Sequence, residues 1–203
     1  MRNIITYIFF LAMMVLASCN RSVSPSEYVK YVENPNNGLK IKQEINGVGY
    51  TLQYQPIDYC VMQEERSFSI PSETFKAEYD RFKGLEHYIF RIEKGAMDSL
   101  VNKLGDTSKY KKGITEYFDF WIQKDIKLVE GIDTIPCSIC QADANTGMAS
   151  SYAFTLGFSN KNTQEESQAD RVLIFENKFL HTDKVMLCVK GKDIKNIPVL
   201  KLM

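Results

Sequence analysis

The chain has 203 residues, of which 44% are hydrophobic and 12% aromatic, and its 25 basic residues balance 25 acidic ones. This hydrophobic content excludes wholesale disorder, because the chain can bury enough apolar surface to offset the entropy of folding. The zero net charge excludes roles that need overall basicity, so neither nucleic acid nor electrostatic adhesion to anionic lipid is expected.

The N-terminus has the pattern of an export signal. Arg2 carries one positive charge, and a predominantly apolar run of 14 residues follows at 4–17. A helix that crosses the hydrocarbon core needs roughly 20 apolar residues, so this run is too short for a stable transmembrane helix. A charged start, a short apolar stretch and small residues before a break are typical of a secretory signal. We therefore predict a signal peptide over residues 1–18.

The break Leu16-Ala17-Ser18-Cys19 resembles the lipobox of bacterial lipoproteins. The resemblance implies a diacylglyceryl group on Cys19, cleavage just before it, and acylation (palmitate, for example) of the new N-terminus. Two or three acyl chains form a lasting tether, whereas one chain binds only marginally. Within that family, Asn20 in place of aspartate after the cysteine favours the outer membrane over the inner one. The alternative is an ordinary signal peptide with a chance cysteine.

Cleavage would leave 185 residues, with 24 basic against 25 acidic side chains, so lipid and not charge would hold the protein. The serine-rich start after Cys19 is typical of a solvated linker. We predict a lipidated N-terminus and linker over 19–38 and one domain over 39–203.

Strand patterns dominate the predicted domain. Residues 39–45 alternate in polarity, Asn46-Gly47 is typical of a tight hairpin turn, and alternation resumes over 48–55. The remaining predicted strands are Tyr88–Ile92, Tyr152–Phe158, Arg171–Phe175 and Asp183–Lys190.

Helical spacing of apolar residues appears three times, and the pattern predicts three inserted helices. The stripes are Phe75, Tyr79 and Phe82 after Pro71-Ser72; Met97, Leu100, Val101 and Leu104 before Gly105; and Ile114, Tyr117, Phe118, Trp121 and Ile122. The predicted fold class is α+β, a mainly antiparallel sheet of six to eight strands with about three helices.

Cys137-Ser138-Ile139-Cys140 is the motif with a redox precedent. Such a pair does redox chemistry when its first thiol lies at a helix N-terminus. The flanking residues alternate as in a strand, where positions 137 and 140 would face opposite sides and could not easily form a disulfide. We expect strand packing, and the alternative is an exported thiol–disulfide oxidoreductase.

With Cys19 lipidated, four thiols remain, because Cys60 and Cys188 join the pair. An even number in an exported protein allows two disulfides with three connectivities, and free thiols are equally compatible with the sequence. The apolar surroundings of Cys60 and Cys188 favour buried, inert thiols.

No catalytic, cofactor-binding or metal-binding residue is predicted. His87 and His181 are the two histidines, and neither has a second ligand at metal spacing. Asp143–Gly147 begins like a calcium loop but lacks the third oxygen ligand and the final glutamate, so a polar turn is expected.

Two segments, NNGLKIKQEINGVGYTLQYQP and DIKNIPVLKL, resemble Gram-negative envelope lipoproteins. The resemblance implies an envelope location and transfers no catalytic residue. We therefore expect a non-catalytic envelope component that binds a protein partner, through an exposed strand edge or through apolar residues of Ile194–Met203. A third hypothesis is capture of a small ligand or glycan on the sheet, which depends on whether Tyr50, Tyr152 and Trp121 are buried.

Overall fold

The computed structural model describes residues 21–67, 70–93, 95, 98–99, 113–114, 116–143, 150–159, 168–176 and 183–202. Its strands are β1 (Ser22–Val23), β2 (Lys40–Ile45), β3 (Val48–Gln55), β4 (Leu85–Glu93), β5 (Ile126–Glu130), β6 (Asp133–Ala142), β7 (Ser151–Ser159), β8 (Arg171–Phe175), β9 (Val185–Val189) and β10 (Val199–Leu200). The described α-helices are α1 (Pro25–Glu33), α2 (Ile57–Glu65), α3 (Ser72–Phe82) and α4 (Gly191–Lys195).

Eight strands form one sheet in the order β2-β3-β4-β7-β6-β5-β8-β9, and every neighbouring pair is antiparallel. The sheet curls until β2 lies beside β9, and Asn46 Nδ2 donates to Asp183 Oδ2 at 2.9 Å across this junction. The curled sheet encloses an aromatic core that includes Tyr50, Phe90 and Phe175. The predicted α+β class and sheet are therefore confirmed.

The predicted hairpin is confirmed, with Asn46 and Gly47 at φ of 53° and 76° in its turn. Proline and serine start α3 where the sequence predicts. The third predicted helix is confirmed as a helical segment: residues 113–114 and 116 are α-helical, and the chain continues as a π-helical turn at Tyr117–Trp121 and a 3₁₀ turn at Ile122–Asp125. The second predicted helix, around Met97–Leu104, lies outside the described residues except at positions 98–99.

The predicted linker over 19–38 is wrong from residue 22 onward. Strand β1 pairs in parallel with β10, and Val23 O accepts a hydrogen bond from Lys201 N at 2.9 Å. Helix α1 follows at once and buries Tyr28 and Val32 against the core. A serine-rich composition misled the prediction because serine and proline also start helices.

Helix α1 begins with a capping box, in which Ser24 and Glu27 satisfy each other's backbone N–H groups. Glu27 Oε2 accepts from Ser24 N at 3.1 Å, and Ser24 Oγ accepts from Glu27 N at 3.4 Å. Helix α1 is tied to α2 by Tyr59, whose hydroxyl donates to Glu33 Oε1 at 2.9 Å. Tyr31 ties α1 to the C-terminal segment through a 3.0 Å hydrogen bond to Asn196 O.

Replacing Ser24 by alanine is expected to lower the free energy of unfolding by about 1 kcal/mol, because the helix loses its side-chain cap. Urea denaturation followed by circular dichroism measures the change. Ser26→Ala is the matched control, since this exposed position lies inside the helix, where alanine is well tolerated. Equal losses in the two variants would contradict the role of the cap.

Candidate functional site

A pocket of about 250 Å³ lies between the N-terminal helices, the end of β3 and the C-terminal segment. Its polar wall is formed by Tyr28, Tyr54, Asp58, Glu86 and Arg171, with Tyr79 beside them. Its apolar wall is formed by Pro56, Ile57, Ile194, Ile197, Pro198 and Val199. Few polar groups converging within an apolar lining are typical of small-molecule sites.

Two tyrosines bring hydroxyl groups to this pocket from different elements. Tyr28 projects from α1 and is 1% exposed, and Tyr54 lies at the end of β3 and is 4% exposed. Neither hydroxyl has a hydrogen-bond partner among the residues that the structure describes. Within the described part of the chain, Glu130 Oε1 is the one fully buried side-chain polar atom without a hydrogen-bond partner, so the two tyrosine oxygens are still accessible from the pocket. The two hydroxyls are therefore available to a molecule in the pocket.

Asp58 adds a carboxylate from the first turn of α2. Burial raises the pKa of Asp58 above its ordinary value of 3.8, because the charged form is poorly solvated there. Burial also raises the pKa of Tyr28, and the charge of Asp58 raises it further. Tyr28 therefore keeps its proton at neutral pH and can donate a hydrogen bond.

Arg171 and Glu86 form a buried ion pair in the polar wall. Arg171 Nη2 donates to Glu86 Oε1 at 3.0 Å, and the two side chains are only 2% and 4% exposed. Burial acts to lower the pKa of Arg171, but the nearby carboxylates outweigh it and the pKa is raised. The guanidinium therefore stays charged in the interior.

Two further groups complete this cluster. Tyr88 donates to Glu86 Oε2 at 2.8 Å, and Glu130 Oε1 lies 3.1 Å from Arg171 Nη2. The Glu130 contact is electrostatic, since Oε1 accepts no hydrogen bond within the described part of the chain. The pocket lining itself holds two carboxylates, Asp58 and Glu86, against the one guanidinium of Arg171, and Glu130 lies next to that guanidinium outside the lining, so the surroundings of the pocket carry excess negative charge.

None of the polar residues of this pocket was predicted as a functional residue, although the strand patterns contain a signal for two of them. Glu86 has the same strand parity as Tyr88 and Phe90, and Arg171 has that of Leu173 and Phe175. A charged residue in register with a buried face is a candidate for a paired interior group. Without the fold, the two charges could not be matched, because 85 positions separate them.

The Cys137–Cys140 strand is confirmed, but the prediction that the two thiols face opposite sides is wrong. A β-bulge shifts the register between Cys137 and Ile139, so Cys137 pairs with Phe158 and Cys140 with Leu156. Because Phe158 and Leu156 both face the core, the extra residue Ser138 turns both thiols to that side.

Cys137 Sγ donates to Ile139 O at 2.9 Å, and the two thiols also shift each other's acidity. The interaction with Cys140 raises the pKa of Cys137, with burial adding to the effect, and the interaction with Cys137 lowers the pKa of Cys140. Cys137 is buried, whereas Cys140 is half-buried. Cys140 is therefore the more nucleophilic thiol of the pair.

The other cysteines differ from each other. Cys60 is buried in α2, as expected, and burial raises its pKa to about 12. Cys188 is only partly buried, and its Sγ lies 3.9 Å from Asp170 Oδ2, so the prediction of a buried thiol is wrong there. All four described cysteines are free thiols.

The sequence also led to expectations about the histidines, the calcium-like loop and the lipidation site. Among the described residues, no group of three or more His, Cys, Asp or Glu side chains is placed to hold a metal ion. His87 Nε2 lies 3.0 Å from Phe82 O, in a local contact. His181, most of Asp143–Gly147 and the predicted lipidation site Cys19 lie outside the described residues. None of the helices described has the length and apolarity to cross a bilayer.

The aromatic residues proposed for a sheet surface divide into two groups. Tyr50 is core and Tyr152 is half-buried, with its hydroxyl 2.8 Å from Asp98 Oδ1. Trp121 is 48% exposed, and Lys124 Nζ lies 4.3 Å above its ring. The sheet therefore offers no open platform of these three aromatic rings.

The apolar C-terminal residues are less available to a partner than the sequence suggests. Ile197, Leu200 and Leu202 pack against the core, and β10 is paired with β1. Val199 is 49% exposed and reaches the pocket.

No protein-family model matches the chain, and neither a curated protein nor a solved structure matches it. Function is therefore inferred from the residues and their geometry.

Replacing Tyr88 by phenylalanine is expected to lower the free energy of unfolding by roughly 1.5–3 kcal/mol, because Glu86 loses a buried donor. Tyr28→Phe is the matched control and should stay within about 1 kcal/mol of the wild type, because its hydroxyl has no protein partner to lose. Chemical denaturation measures both. A loss in Tyr28→Phe as large as that in Tyr88→Phe would show that the Tyr28 hydroxyl is already paired.

Alkylation by iodoacetamide at neutral pH is expected to modify Cys140 before Cys137, because the neighbouring Cys137 thiol lowers the pKa of Cys140 and Cys137 is the more buried of the two. Cys137→Ala should slow the reaction of Cys140 several-fold, since the thiol that lowers its pKa is gone. Peptide mass spectrometry over time measures the rates, with Cys60→Ala as the control that leaves them unchanged. Faster modification of Cys137 would contradict the opposite directions assigned to the two pKa shifts.

Proposed function

We propose that this protein is a lipid-anchored protein of the cell envelope whose domain captures a small ligand without catalysis. Acyl chains on Cys19 hold it to the bilayer, the outer membrane in preference to the inner, and the domain lies outside the cytoplasm. The charged start, the short apolar run and the sequence Leu16-Ala17-Ser18-Cys19 support the anchor. The sequence also predicts a non-catalytic role. Binding of a protein partner, which the sequence predicts as well, stays a prediction.

The main support for ligand capture is that the hydroxyl groups of Tyr28 and Tyr54 have no hydrogen-bond partner within the described residues. Both side chains are more than nine-tenths buried and line the same pocket. A bound molecule would supply the hydrogen bonds that neither tyrosine finds within the described residues. Asp58 offers an acceptor on the same wall.

The charge and size of the pocket select the ligand class. The lining carboxylates Asp58 and Glu86 outnumber Arg171, whose charge Glu130 also offsets, so an anion is disfavoured and a neutral or cationic molecule is favoured. Tyrosine rings also attract cations through their π-electrons. A volume of about 250 Å³ is below the usual range of roughly 300–1,000 Å³ for ligand sites. The ligand is therefore a small, hydroxyl-bearing molecule such as an amino alcohol or a monosaccharide.

Isothermal titration calorimetry with choline, glucose and glucuronate tests this function. Choline and glucose represent the cationic and neutral classes and are expected to bind, whereas the anionic glucuronate is not. Tyr28→Phe and Tyr54→Phe should each weaken binding by about tenfold, equivalent to ~1.4 kcal/mol, because each removes a hydroxyl that only the ligand uses. Tyr59→Phe is the matched control, since that hydroxyl is already paired with Glu33. Failure of both choline and glucose to bind would contradict the proposal.

The pH dependence of choline binding reports the protonation of Asp58, because choline itself keeps its positive charge at every pH. Affinity should fall as the pH drops through the pKa of Asp58, where the carboxylate gains a proton. Since burial holds that pKa above 3.8, the loss begins at a higher pH than for an exposed aspartate. Asp58→Asn should bind choline weakly and independently of pH over this range.

A second candidate function is thiol–disulfide exchange at Cys137 and Cys140, which the shared orientation of the two thiols favours. The Cys140 thiolate would attack a substrate disulfide, forming a mixed disulfide and releasing one thiolate. Cys137 would then attack the Cys140 sulfur, forming an internal disulfide and releasing the second substrate thiol. Loss of insulin reduction in Cys140→Ser, but not in Cys188→Ser, would support this function.

A further inference from the structure

A second and larger concavity lies between α1 and the C-terminal residues 195–198, with a volume of about 440 Å³. We call it the anchor-side groove and define it by Arg21, Glu27, Lys30, Tyr31, Lys195 and Ile197. Arg21 directly precedes β1, the first strand of the fold described above. The groove therefore opens where the N-terminal segment meets the domain.

Basic residues dominate the charge of this groove. Arg21, Lys30 and Lys195 are exposed, and their side chains form no ion pair or hydrogen bond within the described ranges. Glu27 is the one carboxylate among the lining residues; it is hydrogen-bonded to Ser24 in the capping box and also lies close enough to interact electrostatically with Arg21 and Lys30. The protein has zero net charge, but this face is locally cationic.

Covalent geometry places the groove close to the predicted lipid anchor. Only Asn20 lies between Cys19 and Arg21, and extended chain covers at most about 7 Å over these two Cα–Cα steps. Because β1 is paired with β10 from Ser22 onward, no long tether lies between the acyl chains and the domain. The surface around Arg21 must therefore lie at the level of the lipid headgroups.

We propose that the anchor-side groove is the membrane-facing surface of the domain and seats the phosphate of an anionic phospholipid headgroup. This inference rests on the proposed lipid anchor. Phosphate oxygens supply the acceptors that Arg21, Lys30 and Lys195 lack, and arginine matches phosphate with two parallel hydrogen bonds. The acyl chains supply attachment, and the groove sets the orientation of the domain on the bilayer.

The test uses the mature lipidated chain in vesicles of phosphatidylcholine, with or without added phosphatidylglycerol. Flotation of the protein with both kinds of vesicle shows that the acyl chains attach it to the bilayer. A membrane-impermeant lysine-acetylating reagent then reports the groove through the modification rates of individual lysines, measured by peptide mass spectrometry. Lys30 and Lys195 should react several-fold more slowly on the anionic vesicles. Lys42 and Lys76, which do not line the groove, are internal controls and should react equally on both.

Arg21→Gln sharpens the test, because it removes one groove cation at an exposed position. One basic side chain at an anionic membrane surface contributes about fivefold, corresponding to ~1 kcal/mol, so protection of Lys30 and Lys195 should weaken by about that factor. High salt should weaken it as well, since the interaction is screened. Arg66→Gln, at the end of α2 and away from the groove lining, is the matched control and should leave the protection intact.

The possible failures are distinguishable. Protein that floats but shows equal lysine rates on neutral and anionic vesicles would overturn the groove proposal and leave the anchor standing. Protein that does not float, with an intact mass showing an unmodified Cys19, would overturn the anchor and the groove proposal together. Neither result bears on choline or glucose binding, which is measured without vesicles.

Discussion

The ion pair between Arg171 and Glu86 is the interaction on which the interior depends. Strands β8 and β4 are not neighbours in the sheet, so the pair spans the inside of the curl and joins its two halves. Removing one member of a buried pair usually costs roughly 3–5 kcal/mol, because the other is left charged and unsolvated. The same pair forms part of the pocket wall, so one interaction serves both the packing of the sheet and the proposed site.

The termini complete the structure that surrounds this pair. Helix α1 brings Tyr28 over the pocket, and the C-terminal segment brings Ile197 and Val199. Ile197 and Pro198 line both the pocket and the anchor-side groove, so a short piece of chain separates the proposed ligand from the proposed membrane surface. The pairing of β1 with β10 holds both sides of this arrangement. Attachment and recognition would therefore meet at one end of the domain.

Local patterns in the sequence predicted the elements whose structure depends on near neighbours. The hairpin around Asn46-Gly47 follows from turn residues that adopt positive φ, and helix α3 from its proline start and apolar spacing. The predictions were wrong where the local structure depends on contacts between residues far apart in the sequence. The segment after Cys19 resembled a linker until pairing with β10 and packing of Tyr28 gave it a place in the fold. The bulge at Ser138 likewise has no clear local signature, and it reversed the expected orientation of Cys140.

The sequence by itself determined the α+β class, most strands of the sheet and the expectation of a lipidated Cys19, because each depends on residue type and short-range spacing. Tertiary structure alone decided which charges meet. Glu86, Glu130 and Arg171 lie far apart along the chain, and their pairing depends on the strand order and on the curl of the sheet. It also decided that Arg21, Lys30 and Lys195 share one groove in a chain with no net charge. Composition adds charges over the whole chain, whereas a binding surface depends on where folding places them.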